Sequence, residues 1–283
     1  MIKKSFQRKS TVTHFWWVWA LLGMSCVEAS PWLPNEGSRQ WGMSIVEDSY
    51  DQRWDGSASV DMTGPINIST VGFHLGWGLS RDLAVDVFAG IKRLSQTNSD
   101  VLIAGVSDSS VRLSWTLVDE FYRDQLPTIS VSVEAVLGGN YELSFGDSGV
   151  YPPGDGANGL GVMVSAGKVL GQGFSLMGDV GLRYRHGVRS DAIFSRVAMA
   201  YSYAMFSGVF TLTQTQDFDG VDANDAAFDG DFSSLKQEVS LADLGLGWTS
   251  DTGYFFGINY AQSIEGRNVG RNALTSLTMT VPF

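Results

Sequence analysis

Residues 128–139 read TISVSVEAVLGG, and that alternation leaves little choice of fold. Ile129, Val131, Val133, Ala135 and Leu137 fall on one side of an extended chain, and Ser130, Ser132, Glu134 and Gly138 on the other. Such a ribbon has two faces that meet different surroundings. The same period recurs in segments of about ten residues, near 40–47, 70–79, 83–92, 110–118, 128–138, 159–169, 174–185, 192–201, 206–215, 239–248, 254–262 and 273–283, twelve in all. After the N-terminus no apolar run approaches the ~18–20 residues of a membrane-spanning helix. A soluble sandwich would bury these apolar faces in a shared core. Sets such as Tyr254, Phe256, Ile258 and Tyr260 are uninterruptedly large and would overfill one. The expectation is therefore all-β: a transmembrane up-and-down antiparallel β-barrel of about 12 strands, its apolar faces on lipid and its polar faces on the lumen.

The spacers agree. Tight connections ("SRD", "GQG", "SYAM", "TSDTG") alternate with longer polar ones at about 48–69, 93–109, 139–158, 186–191, 216–238 and 263–272. Short periplasmic turns and long external loops are the habit of such barrels. "DEFYRDQLP" at 119–127 is the longest of the turns and reads either as a short helix or as a wide turn.

The N-terminus carries Lys3, Lys4, Arg8 and Lys9, then the apolar run FWWVWALLGM and small residues up to VEAS. This is the layout of a cleavable signal peptide, with the cut after Ala29. The organisation expected is a signal peptide at 1–29, an N-terminal segment at 30–39 that either plugs the lumen or hangs in the periplasm, and a barrel at 40–283. Cleavage removes Cys26, so an exported chain is left without disulfides, and a closed barrel is one alternative source of stability. It also leaves 15 basic against 29 acidic residues, a formal charge of −14, which excludes the basic face a nucleic-acid partner requires.

Trp41, Trp77, Trp115, Trp248, Tyr184, Tyr201, Tyr254 and Tyr260 lie near strand ends, where amphipathic rings suit the two headgroup layers. The ending LTMTVPF, with Leu277, Met279 and Val281 alternating back from Phe283, resembles the C-terminal signal of Gram-negative outer-membrane β-barrels. That resemblance implies location in the cell outer membrane and partnership with the barrel-assembly machinery, membrane lipid and lipopolysaccharide. Pro282 departs from the usual ending, since proline cannot donate a ladder bond. SPWLPNEG, GLSRDLAVDV and LGLGWTSDTGYFFGINYAQ resemble outer-membrane transporters grouped with meta-pathway phenol-degradation proteins. This second likeness implies a channel for passive passage of small solutes, hydrophobic or aromatic compounds among them.

Parity along the strands lists the lumen. Asp86, Glu134, Asp179 and Asp243 face inward with Arg112, Arg183, Arg185 and Arg196, beside His74 and Asn259. Two readings stand side by side. In one, an arginine ladder facing carboxylates makes a selective constriction for a small-molecule solute. In the other, the charges pair across a narrow lumen and hold shut a structural or interaction barrel that works through its loops. In GLRYRHGVR, the most basic stretch, the partner expected for the arginines is Asp179 on the same face.

Catalysis is not expected. A nucleophile needs a positioned base, and neither His74 nor His186 is followed two residues on by a serine, as in outer-membrane lipid hydrolases. GLGVMV is not followed by a helix pattern, so no dinucleotide cofactor is expected. The aspartates of QDFDGVDANDAAFDGDFSS lack the spacing of a helix–loop–helix calcium site, so this loop reads as solvated, with no metal assigned.

Overall fold

The computed structural model describes residues 31–97, 102–123, 126–140, 156–187 and 189–283. The expected signal segment lies outside these. Thirteen strands form one antiparallel sheet: β1 (Arg39–Asp55), β2 (Ala58–Ser80), β3 (Leu83–Gln96), β4 (Leu102–Val106), β5 (Ser109–Val118), β6 (Thr128–Leu137), β7 (Gly159–Gly171), β8 (Phe174–Arg185), β9 (Ala192–Tyr203), β10 (Phe206–Asp217), β11 (Glu238–Thr249), β12 (Phe255–Arg267) and β13 (Ala273–Pro282). β3 pairs with β5 through Leu83–Phe88 and with β4 through Ile91–Ser95, so β4 and β5 are two halves of one stave, interrupted at Ser107 and Asp108. β1 pairs with both β2 and β13, which closes a ring of twelve staves. Closure leaves no strand edge, so the backbone N–H and C=O groups are satisfied within the wall and hydrocarbon can surround it.

The closing seam shows how sequence parity becomes two faces. Trp41↔Val281, Met43↔Met279 and Ile45↔Leu277 lie outward, while Gly42↔Thr280, Ser44↔Thr278 and Val46↔Ser276 lie inward. Leu277 is 56% exposed and Ser276 only 7%. Around the ring the outer wall continues with Phe73, Leu75, Trp77, Leu113, Trp115, Val162, Leu246 and Ile258, all exposed. An apolar surface running round the whole molecule is untenable in water and stable against lipid. Of the expected girdle aromatics, Trp77, Trp115, Trp248, Tyr184, Tyr201, Tyr254 and Tyr260 are exposed on this wall, and Trp41 is half-buried.

Both ends of the barrel chain and the turns at 81–82, 119–127, 172–173, 204–205 and 250–254 share one end of the barrel; the longer connections share the other. The 119–127 connection is a wide turn, with no helix among its described residues. One expectation changes: residues 48–69 are not a loop, because β1 and β2 continue as a hairpin tipped at Gly56 and Ser57. Here the pattern inverts. Tyr50, Ile66, Ile68 and Leu94 form an inner apolar cluster, while Glu47, Ser49 and Asp51 face out. An outward face above the bilayer meets water, so the lipid-facing signature stops before the strand does.

Candidate solute path

The structure places all eight candidate charges on the inner wall and pairs them along it. Glu134 of β6 accepts from Arg112 on β5 at 3.0 Å and from the Ser110 hydroxyl at 2.9 Å, and its other oxygen lies 3.5 Å from Arg183 on β8. Asp179 bonds Arg196 of the neighbouring β9, not the arginines of its own strand. Arg185 reaches past β9 to Asp217 at the end of β10, 2.7 Å away, and also donates to the Ser190 carbonyl. Asp243 accepts from the Asn259 amide. Asp86 sits directly opposite Arg112 in the ladder and bonds His74 at 2.9 Å. The arrangement is thus a mosaic of neighbouring contacts: the four arginines meet Glu134, Asp179 and Asp217 within the wall, while Asp243 and Asp86 bond Asn259 and His74.

Packing divides the inner wall into two sectors. From β5 to β9 most charged and hydroxyl side chains are sealed, Arg183 excepted: Arg112 is 3% exposed, and Ser114, Ser130, Ser132 and Ser165 are equally buried. On β13, β1, β2 and β3 the inward side chains Thr278, Thr280, Ser44, Thr70, His74, Asp86 and Phe88 keep partial exposure. His74 stacks on Phe88 with centroids 4.6 Å apart and planes 17° from parallel. The inner surface left accessible on this side carries an aromatic pair flanked by a carboxylate.

Both mouths are occupied by the chain itself. At the short-turn end Trp32 is 4% exposed, packed on inward Met177, Ala198, Ala200, Val209 and Phe255. Its indole Nε1 donates to Glu120 at 2.9 Å.

At the opposite end the fully buried Asn268 ties three connections together. Its Nδ2 donates to the carbonyls of Lys236 and Val221 and to Asp222, and its Oδ1 accepts from the N–H groups of Gly56 and Ala223. The acidic loop keeps Asp219, Asp225, Asp229 and Asp231 exposed to solvent, and it is also folded. Leu235 is wholly buried against Val221, Ala223 and Phe228, and Asp225, Asp229 and Asp231 accept from N–H groups two residues ahead. Local backbone groups are what these carboxylates satisfy. Among the described residues no group of three or more His, Cys, Asp or Glu side chains is placed to hold a metal.

Arg267 grips Asp222 with two bonds of 2.7 Å and so holds its carboxyl below the usual carboxylate range. A lowered folded pKa means that this clasp contributes fully above the unfolded value and is lost as pH falls through the folded one. Hydrogen exchange of the 221–237 amides should stay slow down to about pH 4 and rise only below it. Arg267→Ala should bring fast exchange at neutral pH and remove that dependence.

No family model and no curated protein matches the chain. Among solved structures, an outer membrane channel from Pseudomonas putida F1 superposes with a TM-score of 0.73 at 12% identity, over 91% of this chain and 100% of that one. The β domain of a Bordetella autotransporter gives 0.51 at 12% identity, over 88% and 100%. The chain has the fold of an outer-membrane β-barrel. At such identities the likeness fixes the fold alone. A monoaromatic hydrocarbon channel, CymD, scores 0.43 at 10% identity over 88% of this chain and 89% of its own, too little to bear on cargo.

Sequence parity missed Trp32, Glu120, Phe88, Asp217 and Asn268. Phe88 and Asp217 had a usable signal, since Phe88 shares the inward parity of Asp86, and Asp217 that of Val209, Thr211 and Thr213.

Proposed function

We propose that the protein is a narrow outer-membrane channel for passive passage of small solutes. The observation that carries this reading is the asymmetry of the inner wall. A barrel held shut by its ion pairs would seal every sector alike, whereas Ser44, Thr70, His74, Asp86, Phe88 and Thr278 keep partial exposure on the inner wall, which supports a path along that side. Small uncharged solutes, aromatic ones included, suit this side best, because most charges of the neighbouring wall are paired and the stacked His74 and Phe88 offer a flat apolar surface.

Purified protein in planar bilayers should show small unitary conductances with weak ion selectivity, and liposomes carrying it should swell in small sugars or phenols. Folded protein that passes neither ions nor solutes would return the molecule to the reading of a structural or interaction barrel. Neutralising Arg183 and Arg185 together should shift ion selectivity while the barrel keeps its heat-resistant mobility on unheated gels. Loss of that mobility would mark the two arginines as structural only.

A further inference from the structure

We propose that a cleft at the short-turn end, on the lipid side of the wall, seats the headgroup of one zwitterionic phospholipid of the inner leaflet. The proposal stands whether or not the barrel conducts. The cleft, about 170 Å³ in volume, lies between the β2–β3 turn at Arg81 and Asp82, the end of β5 and the wide turn at 119–123. Backbone bonds fix its shape. The Thr116 N–H donates to the Asp82 carbonyl at 2.9 Å, which ties β5 to the neighbouring turn. Asp119 closes the wide turn on itself: its carboxylate accepts from the Phe121 N–H at 2.9 Å, and its carbonyl from the N–H groups of Tyr122 and Arg123 at 3.1 and 3.2 Å. A ligand therefore meets a preformed site.

Its level in the membrane follows from Leu117, which lines it and ends the exposed apolar row Leu113, Trp115, Leu117. Past Leu117 the row gives way to Asp119, Arg123 and the Arg81–Asp82 turn, so hydrocarbon meets headgroup here. Short turns lie on the periplasmic side, and the leaflet is the inner one.

Charge decides the class of ligand. Arg81 and Arg123 line the cleft together with Asp82 and Asp119, two charges of each sign. A plain anion would meet two carboxylates and a plain cation two guanidinium groups. A headgroup carrying both a phosphodiester and an ammonium satisfies all four. Arg81 is prepared for the phosphate. Its guanidinium lies 3.3 Å from the centroid of the Tyr122 ring, while its contacts with Asp82 and Asp119 are both 3.9 Å, beyond hydrogen-bond length. The ring holds the fork in place and leaves its N–H donors for phosphate oxygens. An ammonium that donates hydrogen bonds suits the two carboxylates, and a quaternary ammonium, with no N–H, does not. The ligand is thus an ethanolamine phospholipid.

Native mass spectrometry of the folded barrel, produced without residues 1–29, tests this with phosphatidylethanolamine, phosphatidylcholine and phosphatidylglycerol of matched acyl chains. The parent should retain one phosphatidylethanolamine at several-fold higher occupancy than either other lipid. Arg81→Ala/Arg123→Ala should lower that occupancy to the level of phosphatidylcholine, and Asp82→Asn alone should narrow the preference over phosphatidylglycerol. Heat-shifted mobility shows which variants are folded, and the lipid comparison on the parent decides even if the double variant is not. Equal retention of the three lipids, or a folded double variant that keeps the preference, would overturn the site. Soluble glycerophosphoethanolamine displacing the lipid at equal concentration would also overturn it, because the wall beside Leu117 would then contribute nothing.

Discussion

Glu134→Leu is expected to lower the unfolding free energy by about 3–5 kcal/mol, because it removes the carboxylate shared by Arg112 and Arg183 from a sealed sector of the wall. Arg112, 3% exposed, has little water to turn to. Arg183 keeps about a third of its side chain exposed and can reorient, so most of the cost falls at Arg112. The double variant Arg112→Leu/Glu134→Leu should recover most of the loss, since two apolar side chains of similar reach replace a desolvated pair. Urea titration in lipid vesicles, followed by tryptophan fluorescence, measures both. A single variant as stable as the parent would mean that water reaches this sector freely and that the division of the wall is wrong.

Asn268→Ala should release the external cap. The side chain makes five hydrogen bonds to two other connections, and Asn268 itself sits at φ 51°. Alanine loses every side-chain bond and keeps an unfavourable backbone, for a cost of order 3–5 kcal/mol on the docked loops. Asn268→Gly relieves the backbone and should cost less. The loss is local, because no wall bond depends on this side chain. Proteolysis within 218–237 should accelerate sharply while the barrel keeps its heat resistance. Coupled loss of heat resistance would show that the cap is part of the barrel's cooperative unit.

What could be read from the sequence follows from which physical signal each part of the chain carries. A wall residue between lipid and lumen has two opposed environments, so Ile129 to Leu137 reveals its strand and its faces at once. Partners are another matter. Parity puts Arg185 and Asp179 on one face, yet Arg185 pairs with Asp217 two staves away and Asp179 with Arg196. That choice depends on register and reach, neither of which a single strand encodes. The β1–β2 hairpin was hidden because its apolar residues, Tyr50, Ile66 and Ile68, turn inward once the outer face meets water. The small core of loop 218–237, which joins Val221 to Leu235 across the loop, was hidden because solvated aspartates dominate the composition. Trp32 lies outside any strand, so no period marks it.

The central claim, a water-filled path along β13, β1, β2 and β3, is tested most directly by cysteine accessibility during single-channel recording. Produced without residues 1–29, the protein lacks Cys26 and supplies no competing thiol. Ser44→Cys and Thr278→Cys face each other across the closing seam, and a charged, membrane-impermeant thiol reagent should react quickly with both and reduce the current. Ser165→Cys, on the sealed side and wholly buried, should react slowly and leave the current unchanged. Equal reactivity at all three positions, or none at Ser44 and Thr278, would contradict the path.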